Sequence, residues 1–161
     1  MLLYLVRHGD YEISAPTEEA RVLSATGITI TTCMARLLAR AQFESPEIII
    51  ASPIIRARQT ARILAEEFAP NARIEISEAL LSGSELERAM SLVASKRGEC
   101  RVLMLVGHDP LFSHLASVLV TGAESPAIEM QKSAVALFEL TRFDVPRMRG
   151  VLRAYLPPVL A

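Results

Sequence analysis

Cysteine is scarce, occurring only at Cys33 and Cys100, far apart in the chain. Two lone thiols exclude a disulfide framework and a cysteine-based zinc set; they read as reduced core residues of a cytoplasmic protein. An excess of either charge is also lacking: 17 basic residues face 18 acidic ones, a formal net charge of -1, with no block of like charge. That balance excludes a nucleic-acid tail and a polybasic anchor, while leaving individual arginines free to meet in a local pocket. No apolar run is long enough to span a bilayer. The opening MLLYLV is interrupted by Arg7 too soon for a signal peptide. Glycine and proline, at seven and nine residues, are too few for a fibrous or disordered chain. Neither a repeat nor a linker divides residues 1–161, so one domain is expected.

What is present is a chain of 51% hydrophobic residues with apolar runs at Leu2–Val6, Glu47–Ala51, Arg101–Val106, Ala134–Leu140 and Val151–Leu156. The first three are continuous rather than alternating, as strands covered on both faces must be. Arg73–Ile76 is a weaker strand candidate. Between them lie helical stripes. One runs from Ile28 through Ile30, Met34, Leu37, Leu38 and Ala41, with Ser24 as a cap and Gly27 blurring the start. A second carries Ala57, Ala61, Leu64, Ala65 and Phe68, with Ser52 as N-cap and Pro53 in the first turn. Ser84 and Glu87 have capping-box spacing ahead of Leu86, Met90 and Val93. Asp109-Pro110 opens a last helix bearing Leu111, Leu115, Val118 and Leu119. Alternating strands and helices followed by two late strands, joined across Thr141–Gly150, predict a three-layer α/β sandwich. Its central sheet is mostly parallel, with helices on both faces and an antiparallel edge strand.

The three buried-type strands all end in polar groups: Arg7-His8-Gly9-Asp10, then Ser52-Pro53 with Arg56 one turn on, then Gly107-His108-Asp109-Pro110. Ligands of parallel α/β sheets bind at strand carboxyl ends. An arginine-histidine pair at one strand end is unremarkable; the joint placement of two histidines and two arginines at three such ends suits a tetrahedral dianion. A neutral imidazole can attack phosphorus when the phosphoryl oxygens are held and their charge offset, so His8 is a candidate nucleophile. Arg58, Arg62 and His114 read as exposed or half-exposed helix residues, and Tyr4, Met90, Met104 and Met130 as packing. TRFDVPRMRG at Thr141–Gly150 reads as a solvated hairpin connection, with a docking surface for an acidic partner as the alternative.

LYLVRHGD, RVLSATG, ASPIIRARQTA, SEALLSG and LMLVGHDP together resemble the histidine phosphatase superfamily, the phosphoglycerate-mutase-like fold, and within it the short SixA-type phosphohistidine phosphatases. The combination of RHG, SP-x-x-R-A-x-Q-T and a later GH before a helix carries the resemblance. It implies that His8 accepts the phosphoryl group, that Arg7 and Arg56 bind its oxygens, and that His108 is the second histidine of the pocket. Arg21 matches a segment lying near the pocket, and Gly9 and Gly107 match positions that need a small residue. The implied chemistry is in-line attack by His8 and hydrolysis of a phosphohistidine intermediate, with no metal or other cofactor.

The resemblance leaves the proton donor open. Asp10 and Glu78 are the candidates for an acid or for orienting the nucleophile; Glu85 and Glu87 belong to a helix start. The Glu75–Glu87 stretch is short where relatives carry an insertion. A phosphoramidate has a good leaving group and needs no strong acid, whereas an alkyl ester does. The expected substrate is therefore phosphohistidine on a phosphocarrier or phosphotransfer domain. The alternatives are a broad small-molecule phosphomonoesterase and a non-catalytic phosphate-binding regulator.

Overall fold

The computed structural model describes residues 1–124 and 127–158. Its six strands are β1 (Leu2–Arg7), β2 (Ile48–Ala51), β3 (Arg73–Ile76), β4 (Val102–Gly107), β5 (Val135–Arg142) and β6 (Arg149–Leu156). They form one sheet in the order β3-β2-β4-β1-β5-β6. Pairing is parallel from β3 to β1 and antiparallel from β1 through β6. The single antiparallel edge expected from sequence is thus an antiparallel pair, because the short 143–148 connection can only return the chain beside itself. That connection is shorter than the expected Thr141–Gly150, whose ends pair within β5 and β6.

Helices α1 (Ala25–Arg40) and α2 (Ile55–Glu67) cover one face of the sheet; α3 (Leu86–Ser95) and α4 (Leu111–Thr121) cover the other. The continuous apolar strands divide by residue parity. Tyr4, Val6, Met104 and Val106 pack toward α1 and α2, and Leu3, Leu5, Leu103 and Leu105 toward α3 and α4. Residues buried on both sides have no polar positions to alternate. The weak candidate β3 is a real but largely exposed edge strand. Cys100 is buried, whereas Cys33, expected in the core, is only half-buried.

Local details depart from the sequence expectation for identifiable reasons. Ser52 is not an N-cap: α2 begins after Ile54, and Pro53 lies outside the helix. The Ser52 hydroxyl is engaged instead with His108. Ser84 does not form a capping box either. Its hydroxyl donates to the Glu78 carbonyl at 2.9 Å, and Glu85 occupies the cap position of α3 without a side-chain cap bond. The last helix begins at Leu111, with Pro110 as its cap residue.

Ser24 does cap α1, accepting from the Gly27 amide at 3.0 Å. The buried stripe of α1 is rotated from the expected one, however: Gly27, Thr31, Met34, Ala35 and Leu38 face inward, while Ile28 and Leu37 are exposed. Gly27 accounts for that rotation. A methyl there would lie 2.0 Å from the Asp10 carbonyl oxygen, so α1 docks with this glycine against the backbone leaving β1. Because the obstacle is backbone on both sides, Gly27→Ala is expected to lower stability by about 1–3 kcal/mol, the usual cost of overpacking. Urea unfolding at neutral pH measures it; unchanged stability would mean the approach is not tight.

Candidate active site

β4 lies between β1 and β2 in the sheet, so the three polar strand ends are neighbours in space. Register aligns them: Arg7 pairs with Gly107 and Ala51 with Val106. The ladder continues past the strands through His8 N–H to the Gly107 carbonyl at 3.0 Å and Ser52 N–H to the Val106 carbonyl at 2.9 Å. His8, Ser52 and His108 therefore leave the sheet at one level. The rings of His8 and His108 are 4.9 Å apart between centroids, and they are only 3% and 1% exposed.

Backbone crowding holds the first strand end in place. A methyl on Gly9 would meet the Thr31 hydroxyl at 2.7 Å, and one on Gly107 the Phe112 ring at 2.8 Å. The Gly9 amide donates to the Thr60 hydroxyl at 3.1 Å, and that hydroxyl donates to the Arg56 carbonyl at 2.8 Å. Thr60 thus ties the loop after β1 to the first turns of α2. Ser133, at φ +63°, donates its amide to the carbonyls of Arg7 and His8 at 3.1 and 3.2 Å.

These contacts set the His8 tautomer. The Gly9 carbonyl lies 2.8 Å from Nδ1 and can only accept, which assigns the ring proton to Nδ1. Nε2 then carries a lone pair, and Arg56 Nε donates to it at 3.2 Å. Burial pushes the His8 pKa down to about 3, against the pull of the Gly9 carbonyl, and His108, Arg56 and Arg7 lower it further. Burial, with Arg56 and Arg7, also lowers His108 to about 4. Both rings are neutral at pH 7. His108 Nε2 is 2.8 Å from the Ser52 hydroxyl.

Arg56 is buried and held from several sides. Its two terminal nitrogens donate to the Glu18 carbonyl at 2.8 Å and the Glu18 carboxylate at 3.1 Å, and it lies over the Tyr11 ring at 4.7 Å. Arg7 donates to the Met130 carbonyl at 2.8 Å. Arg21 reaches the same Tyr11 ring at 5.6 Å. Among the described residues, the buried side-chain nitrogens without a partner are Arg7 Nε, Arg21 Nε and His108 Nδ1. All three belong to residues that the sequence places at the pocket. Buried polar groups are ordinarily hydrogen-bonded, so the two unpartnered guanidinium N–H groups point to a ligand that accepts.

Among the described residues, neither candidate acid is hydrogen-bonded to His8, whose partners are the Gly9 carbonyl and Arg56. Asp10 binds Lys132 at 2.5 Å and the Ser24 hydroxyl at 3.1 Å. The Lys132 bond, above all, holds its carboxyl below the usual carboxylate range despite a small opposing effect of burial. Glu78 opens a short 3-10 turn, Glu78–Leu80, and is exposed. Its carbonyl, rather than its carboxylate, anchors the turn.

Sequence reasoning missed Tyr11, Glu18, Lys132 and Thr60. Tyr11 packs edge-on against His8 at 5.5 Å and also meets Lys132 at 4.4 Å. An aromatic residue directly after RHGD was a usable signal, as was Thr60 four residues after Arg56 on one helix face. Glu18 sits in a polar loop that carries no pattern.

A family model described as the histidine phosphatase superfamily (branch 1) matches residues 3–82. Comparison with curated protein sequences finds no match. Among solved structures, the protein histidine phosphatase SixA complexed with tungstate superposes with a TM-score of 0.86 at 23% identity, covering 98% of this chain and 97% of that one. A protein assigned as phosphohistidine phosphatase SixA from Agrobacterium tumefaciens gives 0.78 at 25% identity, with 98% of each chain covered. A mycobacterial glucosyl-3-phosphoglycerate phosphatase complexed with VO3 gives 0.75 at 20%, covering 97% and 99%. At such identity the likeness is one of fold.

The two neutral histidines give stability a definite pH dependence. In the unfolded chain they protonate near the ordinary value of 6.5, whereas the folded protein resists until about 4 and about 3. As pH falls below 6.5 the unfolded state binds more protons, so stability falls with it until the folded values are reached. The Tm is expected to drop between pH 7 and pH 5, and to drop less in His108→Gln. Thermal unfolding across that window tests this; equal slopes for both proteins would contradict it.

Proposed function

Because the chain belongs to the histidine phosphatase superfamily, we propose that it is a phosphatase in which His8 takes a phosphoryl group from phosphohistidine on a protein and passes it to water. The observation that carries this reading is the fixed tautomer, with Nδ1–H spent on the Gly9 carbonyl and the Nε2 lone pair turned to Arg56. A phosphoryl group seated at Arg56 would have phosphorus beside that lone pair. Attack forms the Nε2–P bond as the substrate's P–N bond breaks, and the departing imidazole takes a proton. Water then attacks phosphorus and the Nε2–P bond breaks, releasing inorganic phosphate and restoring neutral His8.

Arg7 and Arg56 supply fixed positive charge, so the chemistry runs without a metal ion. The Nδ1 of His108 adds a further group toward the oxygens, and Arg21 closes the side lined by Tyr11. Preorganised donors of this kind cost no reorganisation when charge shifts in the transition state. The likeness to a SixA structure holding tungstate, itself a tetrahedral oxyanion, supports a site for such anions.

The substrate class rests on the carboxylates. Asp10 is bonded to Lys132 and Glu78 is exposed, which favours a leaving group that departs without a strong acid. The partner is then a phosphocarrier or phosphotransfer domain, the small phosphate ester being the alternative. No helix among the described residues is long and apolar enough to cross a membrane. A cytoplasmic setting fits the two free cysteines.

Turnover of a phosphohistidine protein beside an alkyl phosphate, stopped with alkali to preserve P–N bonds, tests the reading. His8→Ala is expected to abolish hydrolysis of the former, and wild type to cleave the latter poorly. Efficient ester cleavage would instead assign a metabolite substrate. Arg56→Lys removes the fork of donors while keeping the charge, and is expected to lower kcat/KM by about 10²–10³-fold. A loss under threefold would remove Arg56 from the phosphoryl site.

A further inference from the structure

Glu18 occupies two of the donors of Arg56, the residue best placed to receive a phosphoryl group. Its carbonyl and carboxylate take both terminal nitrogens of Arg56, while Arg56 Nε points to His8. Glu18 engages one N–H on each terminal nitrogen of a group whose donors lie in one fixed plane, and a phosphoryl group approaching His8 Nε2 meets those same nitrogens. Glu18 and the substrate therefore compete for them.

We propose that Glu18 is the resting-state counter-ion of the pocket, displaced by the incoming phosphoryl group, and that it sets the threshold which an anion must pass to bind. This rests on the reading that the pocket takes a phosphoryl group. Exposure decides that the contact is displaceable. The Glu18 side chain is 61% exposed while that of Arg56 is 4% exposed. The carboxylate end is thus hydrated and loosely held, whereas the guanidinium is fixed. Glu18 comes from the 12–22 segment, whose far end is tied down by the Leu23 amide donating to the Gln59 side-chain oxygen at 2.7 Å. Displacing the Glu18 side chain leaves that Leu23–Gln59 tie to α2 in place.

The competition is unequal by design of the donor set. A carboxylate offers one charge and reaches Arg56 alone. A phosphoryl dianion brings two charges and enough oxygens to reach the unpartnered Arg7 Nε as well. A carboxylate monoanion, with one charge and two oxygens, gains less from the exchange. The same contact keeps Arg56 from being an uncompensated buried cation when no substrate is bound.

Calorimetric binding of inorganic phosphate to the full chain tests the proposal in wild type, Glu18→Gln and Glu18→Ala. Removing the competing charge is expected to tighten phosphate binding by about two- to fivefold, the range of a partly exposed ion pair, and to lower KM for the phosphohistidine protein correspondingly. A residue that merely holds Arg56 in place would give weaker binding on removal. Unchanged or weaker phosphate binding in both variants, with the Tm unchanged, overturns the proposal and leaves the phosphatase reading intact. A fall in kcat with no gain in phosphate affinity would likewise overturn it, by assigning Glu18 to the chemistry. No phosphate binding by any of the three proteins overturns the pocket reading and this inference together.

Discussion

A neutral imidazole kept beside two arginines is the constraint on which the rest of the structure depends. His8 has a usable lone pair only while it is uncharged, and the surroundings enforce that state in two ways. Burial at the end of β1 makes the cation costly, and Arg7 and Arg56 raise the cost further. Neither acts alone: an exposed ring would titrate near neutrality, and a buried ring without arginines would have nothing to hold a substrate. The Gly9 carbonyl then selects which nitrogen carries the proton. Three requirements of one atom are met by groups within two residues of it, together with one helix.

Meeting them explains features of the fold that would otherwise be arbitrary. His8 can sit deep only because Gly9 has no side chain to collide with Thr31, and because Gly27 lets α1 close on the Asp10 backbone. Arg56 can reach His8 because Thr60 bonds both the Arg56 carbonyl and the Gly9 amide. Interposing β4 between β1 and β2 brings His108 to the same crevice, as expected where a parallel sheet reverses its order of connection. The α1–α2 layer consequently does more than cover the sheet; its inner residues fix the geometry at the strand ends.

The strands were legible because the strongest ones are buried on both faces, and a run such as VLMLVG has no competing reading. RHG, SP-x-x-R and GH were legible because each follows such a strand directly. Other features were hidden where one residue could serve two purposes. Ser52 has the composition and position of an N-cap, but a histidine 56 residues on, just past β4, claims its hydroxyl. Ser84 and Glu87 have capping-box spacing, yet Ser84 turns back to Glu78. The rotation of α1 depended on a glycine contact with distant backbone, which hydrophobic periodicity does not encode. Lys132 and Glu18 carry no local signal, since their significance comes only from Asp10 and Arg56 being opposite them.

The carboxylates give the site its chemical character. Asp10 and Glu18 each accept from a cation, Lys132 in one case and Arg56 in the other. A carboxylate that accepts in this way is poorly suited to donate a proton. Lys132, beside Asp10, holds its carboxyl below the usual carboxylate range. A pocket built this way cannot readily combine strong anion binding with a nearby acid unless the acid is kept apart by an additional structural element. Residues 77–85, between β3 and α3, contribute only a short turn and loop. The burden of departure therefore falls on the leaving group, and an imidazole, which is a far better leaving group than an alkoxide, can carry it.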